Sequence, residues 1–278
     1  GTGFERAREE AKAAEAAVQN GDLLGPLHGL PLGVKDLLDT EGLLTTHGSP
    51  LYRDHIPDAD HSLVAELRGS GAIVVCKTNT PDFGAGANTT NPVWGATGNP
   101  FDPQRICGGS SGGSAVALAT NMMPIATGSD SGGSLRIPAA FNGVVAHRST
   151  PGIVPNEKHS FGYTTFSVLG PMARTVEDMV LMYSSIVRHD PNDPLSAPMD
   201  PADYVSVKEV DLSTLKIAVS EDLGFAPVDD RIRATFRERV DIFKSAFKEC
   251  SPRDPVLDTV DRTNWILRSQ IFLANHRE

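Results

Sequence analysis

Two short segments carry residue types that do chemistry. They are Gly108-Gly109-Ser110-Ser111-Gly112-Gly113-Ser114 and Gly128-Ser129-Asp130-Ser131-Gly132-Gly133-Ser134. Glycine-rich turns that open helices present N–H groups to anions, so a phosphate cradle is one reading of the first. Both standard nucleotide patterns fail, because no Gly-x-Gly-x-x-Gly occurs and no lysine follows the glycines. A second reading is a nucleophile elbow, since Gly109-Ser110-Ser111-Gly112-Gly113 fits Gly-x-Ser-x-Gly. That makes Ser111 the nucleophile of a Ser-His-Asp α/β-hydrolase, an esterase. It requires a later acid and histidine, for which Asp178, His189 and His276 are candidates that no spacing ranks. A third reading is a tight turn with a helix cap.

The second loop shifts the balance, because capping alone does not call for two such loops in succession. Glycine tolerates backbone angles that other residues avoid, so the N–H groups of Ser131, Gly132 and Gly133 can point at one spot. Convergent N–H groups at a helix start suit a developing oxyanion. Ser134, at that helix start, is placed to attack the carbonyl they hold.

A serine hydroxyl needs a base. None of the eight histidines sits in a glycine-rich motif, and His28 and His147 read as structural or surface residues. Lys35 is different: it ends the apolar run 30–34 and precedes Asp36. Desolvation lowers a lysine pKa and yields a neutral amine that works as a base. Moving it from about 10.4 to about 7–8 costs ~3–5 kcal/mol, which nearby hydroxyls and dipoles must accommodate.

These groups need a scaffold, and the sequence suggests one. Residues 4–19 are Ala- and Glu-rich without Gly or Pro and read as a helix. Residues 29–34 and 72–76 read as buried strands, with a helix at 62–68 between them. Residues 78–108 are loop-rich. Each Gly/Ser loop then opens a helix, at 115–121 and 135–141, with strands at 123–127 and 143–147. Such alternation argues for an α/β fold with partly parallel strands. A helix follows at 175–187, capped by Thr175, then a Pro/Asp-rich connector at 189–204 and a strand at 215–219. Residues 229–248 form an amphipathic helix with Ile232, Phe236, Val240, Phe243 and Phe247 on one stripe, and 260–276 read as a last helix.

Composition narrows the partners. The chain has 278 residues, 40% hydrophobic and 22% charged, which is ordinary globular composition with enough length for a sizeable core. A formal charge of −10 argues against nucleic acid and against an anionic membrane surface as partners. No apolar stretch is long enough to span a bilayer. The three cysteines, Cys76, Cys107 and Cys250, build neither a disulfide framework nor a zinc motif, which suggests a reducing, cytoplasmic setting. Residue 1 is Gly, not Met, so a removed targeting segment stays open. No metal or cofactor is expected, and a homodimer is only the commonest default.

Taken together, residues 29–36 and 108–138 resemble the amidase signature family. Lys35, Ser110 and Ser134 match the family's Lys, cis-Ser and nucleophilic Ser in type and spacing. Lys77-Thr78-Asn79, Asn99-Pro100 and Gly170-Pro171-Met172-Ala173-Arg174 match as well. The resemblance implies an α/β fold, a mixed β-sheet core flanked by helices on both faces, as one domain over 1–278 that lacks both ends of the family fold. It implies a linear-amide hydrolase without cofactor, acting on a small-molecule substrate. Ser134 attacks the carbonyl, Ser110 relays the proton through a cis peptide after Gly109, and Lys35 accepts it. The N–H groups of Ser131, Gly132, Gly133 and Ser134 form the oxyanion hole. Ser111, Asp130 and Arg136 support the loops, and Ala85, Gly86 and Ala87 line the acyl pocket. The alternative within the family is a glutaminase-type subunit that passes ammonia to a partner in an amidotransferase complex; an inactive binding fragment would have no use for the three residues. The chain departs from the family at Ala146-His147-Arg148-Ser149, where many members read Gly-Leu-(Arg/Lys)-Pro, and at Ile153, where a basic residue is common.

Overall fold

A computed structural model describes residues 2–158 and 163–276. The chain divides into two compact units, Gly1–Val207 and Lys208–Glu278.

The first unit is built on a five-stranded sheet. Its strands are β1 (Pro31–Lys35), β2 (Ile73–Thr78), β3 (Ile125–Asp130), β4 (Val145–Ala146) and β5 (Val168–Ala173), in the order β2-β1-β3-β5-β4. β1 runs parallel to β2 and β3, whereas β5 is antiparallel to both β3 and β4. The sheet is therefore mixed, as expected. Helices α1 (Phe4–Asn20), α2 (Ser62–Gly69), α3 (Gly112–Ala119), α4 (Arg136–Asn142) and α5 (Val176–Ser184) accompany it.

Side chains alternate across a strand, so each face of the sheet seeds its own core. Leu32, Val34 and Ile125 pack with Leu63, Val64 and Leu67 of α2 and Met182 of α5. On the other side Ala126 and Met172 pack with Ala115 and Leu118 of α3 and Ala139 of α4. The neighbours Ile125 and Ala126 thus belong to different cores, as period-two alternation requires. Thr175 caps α5 by accepting the Asp178 N–H at 3.1 Å.

The one strand of this sheet that the pattern hides is β5, because Gly170-Pro171 reads as a turn. Pro171 has no N–H to give, yet it pairs with Thr127 and its carbonyl accepts the His147 N–H at 3.2 Å. The loop-rich segment holds two short antiparallel ribbons, Thr90–Asn91 with Gly95–Ala96 and Gly98–Asn99 with Asp102–Ile106.

The second unit pairs β6 (Lys216–Val219) with β7 (Glu249–Pro252) in parallel and carries α6 (Asp230–Phe243) and α7 (Val260–His276). None of its described residues is fully buried. On the apolar stripe of α6, Ile232 stays 62% exposed, so amphipathic patterning here does not translate into a closed core.

Candidate active site

Lys35 is the last residue of β1, which lies between β2 and β3, and its side chain is fully buried. Its backbone N–H donates to Thr127 Oγ1 at 2.8 Å, and its Nζ lies 2.7 Å from Ser110 Oγ, 2.9 Å from Ser111 Oγ and 2.9 Å from Ser129 Oγ. Burial pulls its pKa from 10.5 down to about 7, against an opposing pull from the Asp130 charge. A carboxylate in contact would hold the amine protonated, but the partners here are hydroxyls, which tolerate either protonation state.

Each hydroxyl has a traceable origin. The Gly109–Ser110 peptide is cis, as the resemblance implied. Gly109 allows that turn to press on the preceding loop: a Cβ there would lie 2.9 Å from the Asn88 nitrogen. Ser111 is fully buried, and its hydroxyl donates to the Ser129 carbonyl at 3.3 Å. Ser129 escapes a reading of the sequence, although a signal exists: Thr127 and Ser129 are two apart on β3, so both lie on one face of the sheet, and each contacts Lys35. The intervening register turns Asp130 the other way.

Asp130 anchors the second loop. Its buried carboxylate accepts from the Gly133 N–H at 2.8 Å, the Leu135 N–H at 3.2 Å and two Arg136 nitrogens, each at 3.0 Å. Burial works to raise its pKa, but the Arg136 hydrogen bond and charge and the two N–H donors bring it to about 2. Arg148 adds a contact to the Asp130 carbonyl and, at 3.3 Å, to Oδ1. In the sequence Arg148 stands out only as part of a divergent stretch; in the fold it is a second cation on Asp130.

The Ser134 carbonyl accepts the Ser111 N–H at 3.2 Å, which ties the second loop to the first. Ser134 is half-buried, and its hydroxyl has no hydrogen-bond partner among the described residues. Lys35, Ser110 and Ser111 are therefore gathered into one cluster, with Ser134 joined to it through the backbone. The expected oxyanion donors differ in what holds them. The Gly133 N–H is committed to Asp130, leaving the N–H groups of Ser131, Gly132 and Ser134 without an acceptor among the described residues. The expected pocket residues lie beside this site. A Cβ on Gly84 would come within 3.7 Å of Ser110 Oγ, and the adjoining Ala85 and Ala87 are exposed with Gly86 half-buried between them.

The elbow reading finds no histidine base among the described hydrogen-bond partners of the Ser111 hydroxyl. Ser111 contacts Lys35 and Ser129, His189 lies against Ser196, and Asp178 heads α5. The side chain of His276 lies outside the described part of the chain. His28 and His147 are structural, as expected: one meets the Ala14 carbonyl and the other packs edge-on against Tyr183.

A second, half-buried lysine is not recognisable as a chemical group from the sequence. Lys77, on β2, contacts the Leu38 carbonyl, Thr40 Oγ1 at 2.8 Å and Thr45 Oγ1 at 3.1 Å. Burial lowers its pKa to about 8, although Asp36, Asp39 and Asp60 pull the other way. It holds the turn after β1, where Asp36 accepts from both the N–H and the hydroxyl of Thr46.

Residues 2–255 match the Amidase family. One relative, a glutamyl-tRNA(Gln) amidotransferase subunit of Synechococcus sp. (strain JA-2-3B'a(2-13)), is 41% identical over 219 residues, 79% of this chain and 43% of that protein. A bacterial aryl acylamidase of the amidase signature family superposes with a TM-score of 0.85 at 28% identity, over 92% of this chain and 54% of the other. The corresponding glutamyl-tRNA(Gln) amidotransferase subunit of Thermotoga maritima gives 0.81 at 25% identity, covering 99% and 64%. The chain thus spans about half the length of the curated relatives it matches. Among the described residues, no helix is long and apolar enough to cross a membrane. With the family match over most of its length and the shared architecture, the chain belongs to the amidase signature family.

Proposed function

We propose that the chain carries the catalytic half-site of an enzyme that hydrolyses linear carboxylic amides through an acyl-enzyme on Ser134. The observation that supports this best is the fully buried Lys35 amine, bounded by three serine hydroxyls and held near neutrality.

The proton count follows from those contacts. A neutral amine has two N–H donors and one lone pair. Ser111 spends its own proton on the Ser129 carbonyl, so it accepts from Lys35. Ser129 accepts the second N–H, and the lone pair faces the Ser110 hydroxyl. As Ser134 Oγ bonds to the amide carbon, its proton passes to Ser110 Oγ and the Ser110 proton passes to Lys35 Nζ. The carbonyl oxygen becomes an oxyanion facing the N–H groups of Ser131, Gly132 and Ser134. The C–N bond then breaks, and the departing nitrogen takes the proton back along the same path. Water, deprotonated by the same relay, attacks the ester and releases the acid and Ser134. The Ser134–Ser110 contact forms when substrate is bound, since catalytic hydrogen bonds are often longer in a free enzyme.

The relatives' names favour a second reading within the same chemistry, in which glutamine is the amide and its nitrogen passes to a partner protein. Small aryl, aliphatic and glutamine amides separate the two, together with co-purification of a partner. Fluorophosphonate labelling followed by peptide mapping tests the mechanism shared by both. Label on Ser134 is expected, and label on Ser111 would refute it.

A further inference from the structure

The turn between β1 and α2 brings together three side chains that the hydrolytic site does not use. The Nε2 atoms of His47 and His55 each lie 3.8 Å from Asp39 Oδ1, and all three ligand atoms fall within 4.8 Å of one another. That separation is too long for an N–H···O hydrogen bond. It is close to what an ion bound between them needs: bonds of about 2.0–2.2 Å to nitrogen and oxygen place neighbouring tetrahedral ligands about 3.4 Å apart. We propose that Asp39, His47 and His55 form a binding site for one divalent transition-metal ion, with zinc the best match to two imidazoles and one carboxylate.

The surrounding structure supports this. Lys158 Nζ donates to Asp39 Oδ2 at 3.0 Å, which fixes the carboxylate and leaves Oδ1 aimed at the two rings. Ligating carboxylates are commonly held by such an outer partner. The backbone is already set: the His55 carbonyl accepts the Thr45 N–H at 2.9 Å, the His47 carbonyl accepts the Phe83 N–H at 2.8 Å, and the Asp39 carbonyl accepts the His61 N–H at 2.9 Å. Tyr52 meets both rings edge-on, with centroids 4.8 and 5.5 Å away. All three side chains are partly exposed, so an ion has a way in and room for water as a further ligand.

The expected consequence is structural. The ion would brace the turn whose Thr46 holds Asp36, the residue after Lys35. It takes no part in the proton relay.

The test uses the full chain, freed of metal by chelator dialysis and titrated with zinc against a chromophoric zinc indicator. About one zinc per chain is expected, with binding weakened about tenfold or more in His47→Asn, His55→Gln and Asp39→Asn. Asparagine suits position 47 because its backbone φ is +52°. His55→Gln alters a partly exposed ring and serves as the second variant should position 47 disturb folding, which circular dichroism reports. Cobalt gives an independent readout, as visible absorption bands present in the parent and lost in His55→Gln. Absence of saturable zinc binding, or binding equal in all three variants, would overturn the site; the latter would assign the metal elsewhere, such as to the cysteines.

Discussion

Replacing Lys35 with methionine keeps the length of the side chain and removes the amine. The folded pKa of about 7 lies some 3.5 units below the unfolded 10.5, a penalty of about 5 kcal/mol for burying the charge. The sign is set by proton binding. Between pH 7 and 10.5 the unfolded chain holds a proton here that the folded chain has released, so stability rises with pH. At pH 7 the amine is half-protonated when folded and nearly all of the penalty is felt; by pH 9 about 2 kcal/mol of it is recovered. Urea unfolding of parent and Lys35→Met at pH 7, 8 and 9 measures this. Lys77 titrates in the same range, but its effect cancels in the difference between the two proteins. The variant's stability advantage should shrink by about 2 kcal/mol from pH 7 to pH 9, while its amide kcat/KM falls about 10²–10⁴-fold. A difference that stays flat with pH would mean that Lys35 titrates normally, and the base assignment would fail with it.

In the parent, kcat/KM should rise with pH through about 7 as Lys35 deprotonates; a flat profile there contradicts an amine base. Ser134→Ala should abolish fluorophosphonate labelling while leaving the unfolding midpoint almost unchanged. Asp130→Asn removes the charge that holds Arg136 and Arg148 and weakens the hydrogen bonds from Gly133 and Leu135, and should cost about 1–3 kcal/mol in urea unfolding. Because Asp130 raises the Lys35 pKa, the acid limb of the rate profile in that variant should move to lower pH. Gly133→Ala forces a Cβ to 2.7 Å from Ile137 at a backbone φ of +112°, so kcat should fall as the oxyanion loop shifts.

The parts of the fold that were legible are those where local chemistry and global placement agree. Strand β1 reads as buried because Leu32 and Val34 flank a glycine and end at a lysine, and the sheet does cover both sides of it. Strand β5 did not read, because Gly170-Pro171 carries turn chemistry and only pairing with β3 and β4 overrides it. The α6 stripe forms a helix face from Ile232 to Phe243, while Phe247 lies beyond the helix in extended backbone; periodicity says only that a face is apolar, and it does not supply the surface that buries it.

In the site, Lys35 is legible as a charge that ends an apolar strand, and the other legible residues sit in or beside loops whose glycines advertise an unusual backbone. The ones that were missed sit on strands or in turns, where their types are unremarkable until the register is known. Ser129 is one serine among many, and only its position two residues after Thr127 turns it toward Lys35. Gly133 adds a constraint that the pattern alone does not show. Its glycine reads as freedom to aim an N–H at an oxyanion, and in the structure that N–H, at a residue of positive φ, is held by Asp130. The carboxylate can hold the loop only by occupying one of the donors the loop presents. In the proposed mechanism, the anchor and the oxyanion cradle draw on the same short run of N–H groups. Any substitution that releases Gly133 from Asp130 frees a fourth donor while loosening the other three.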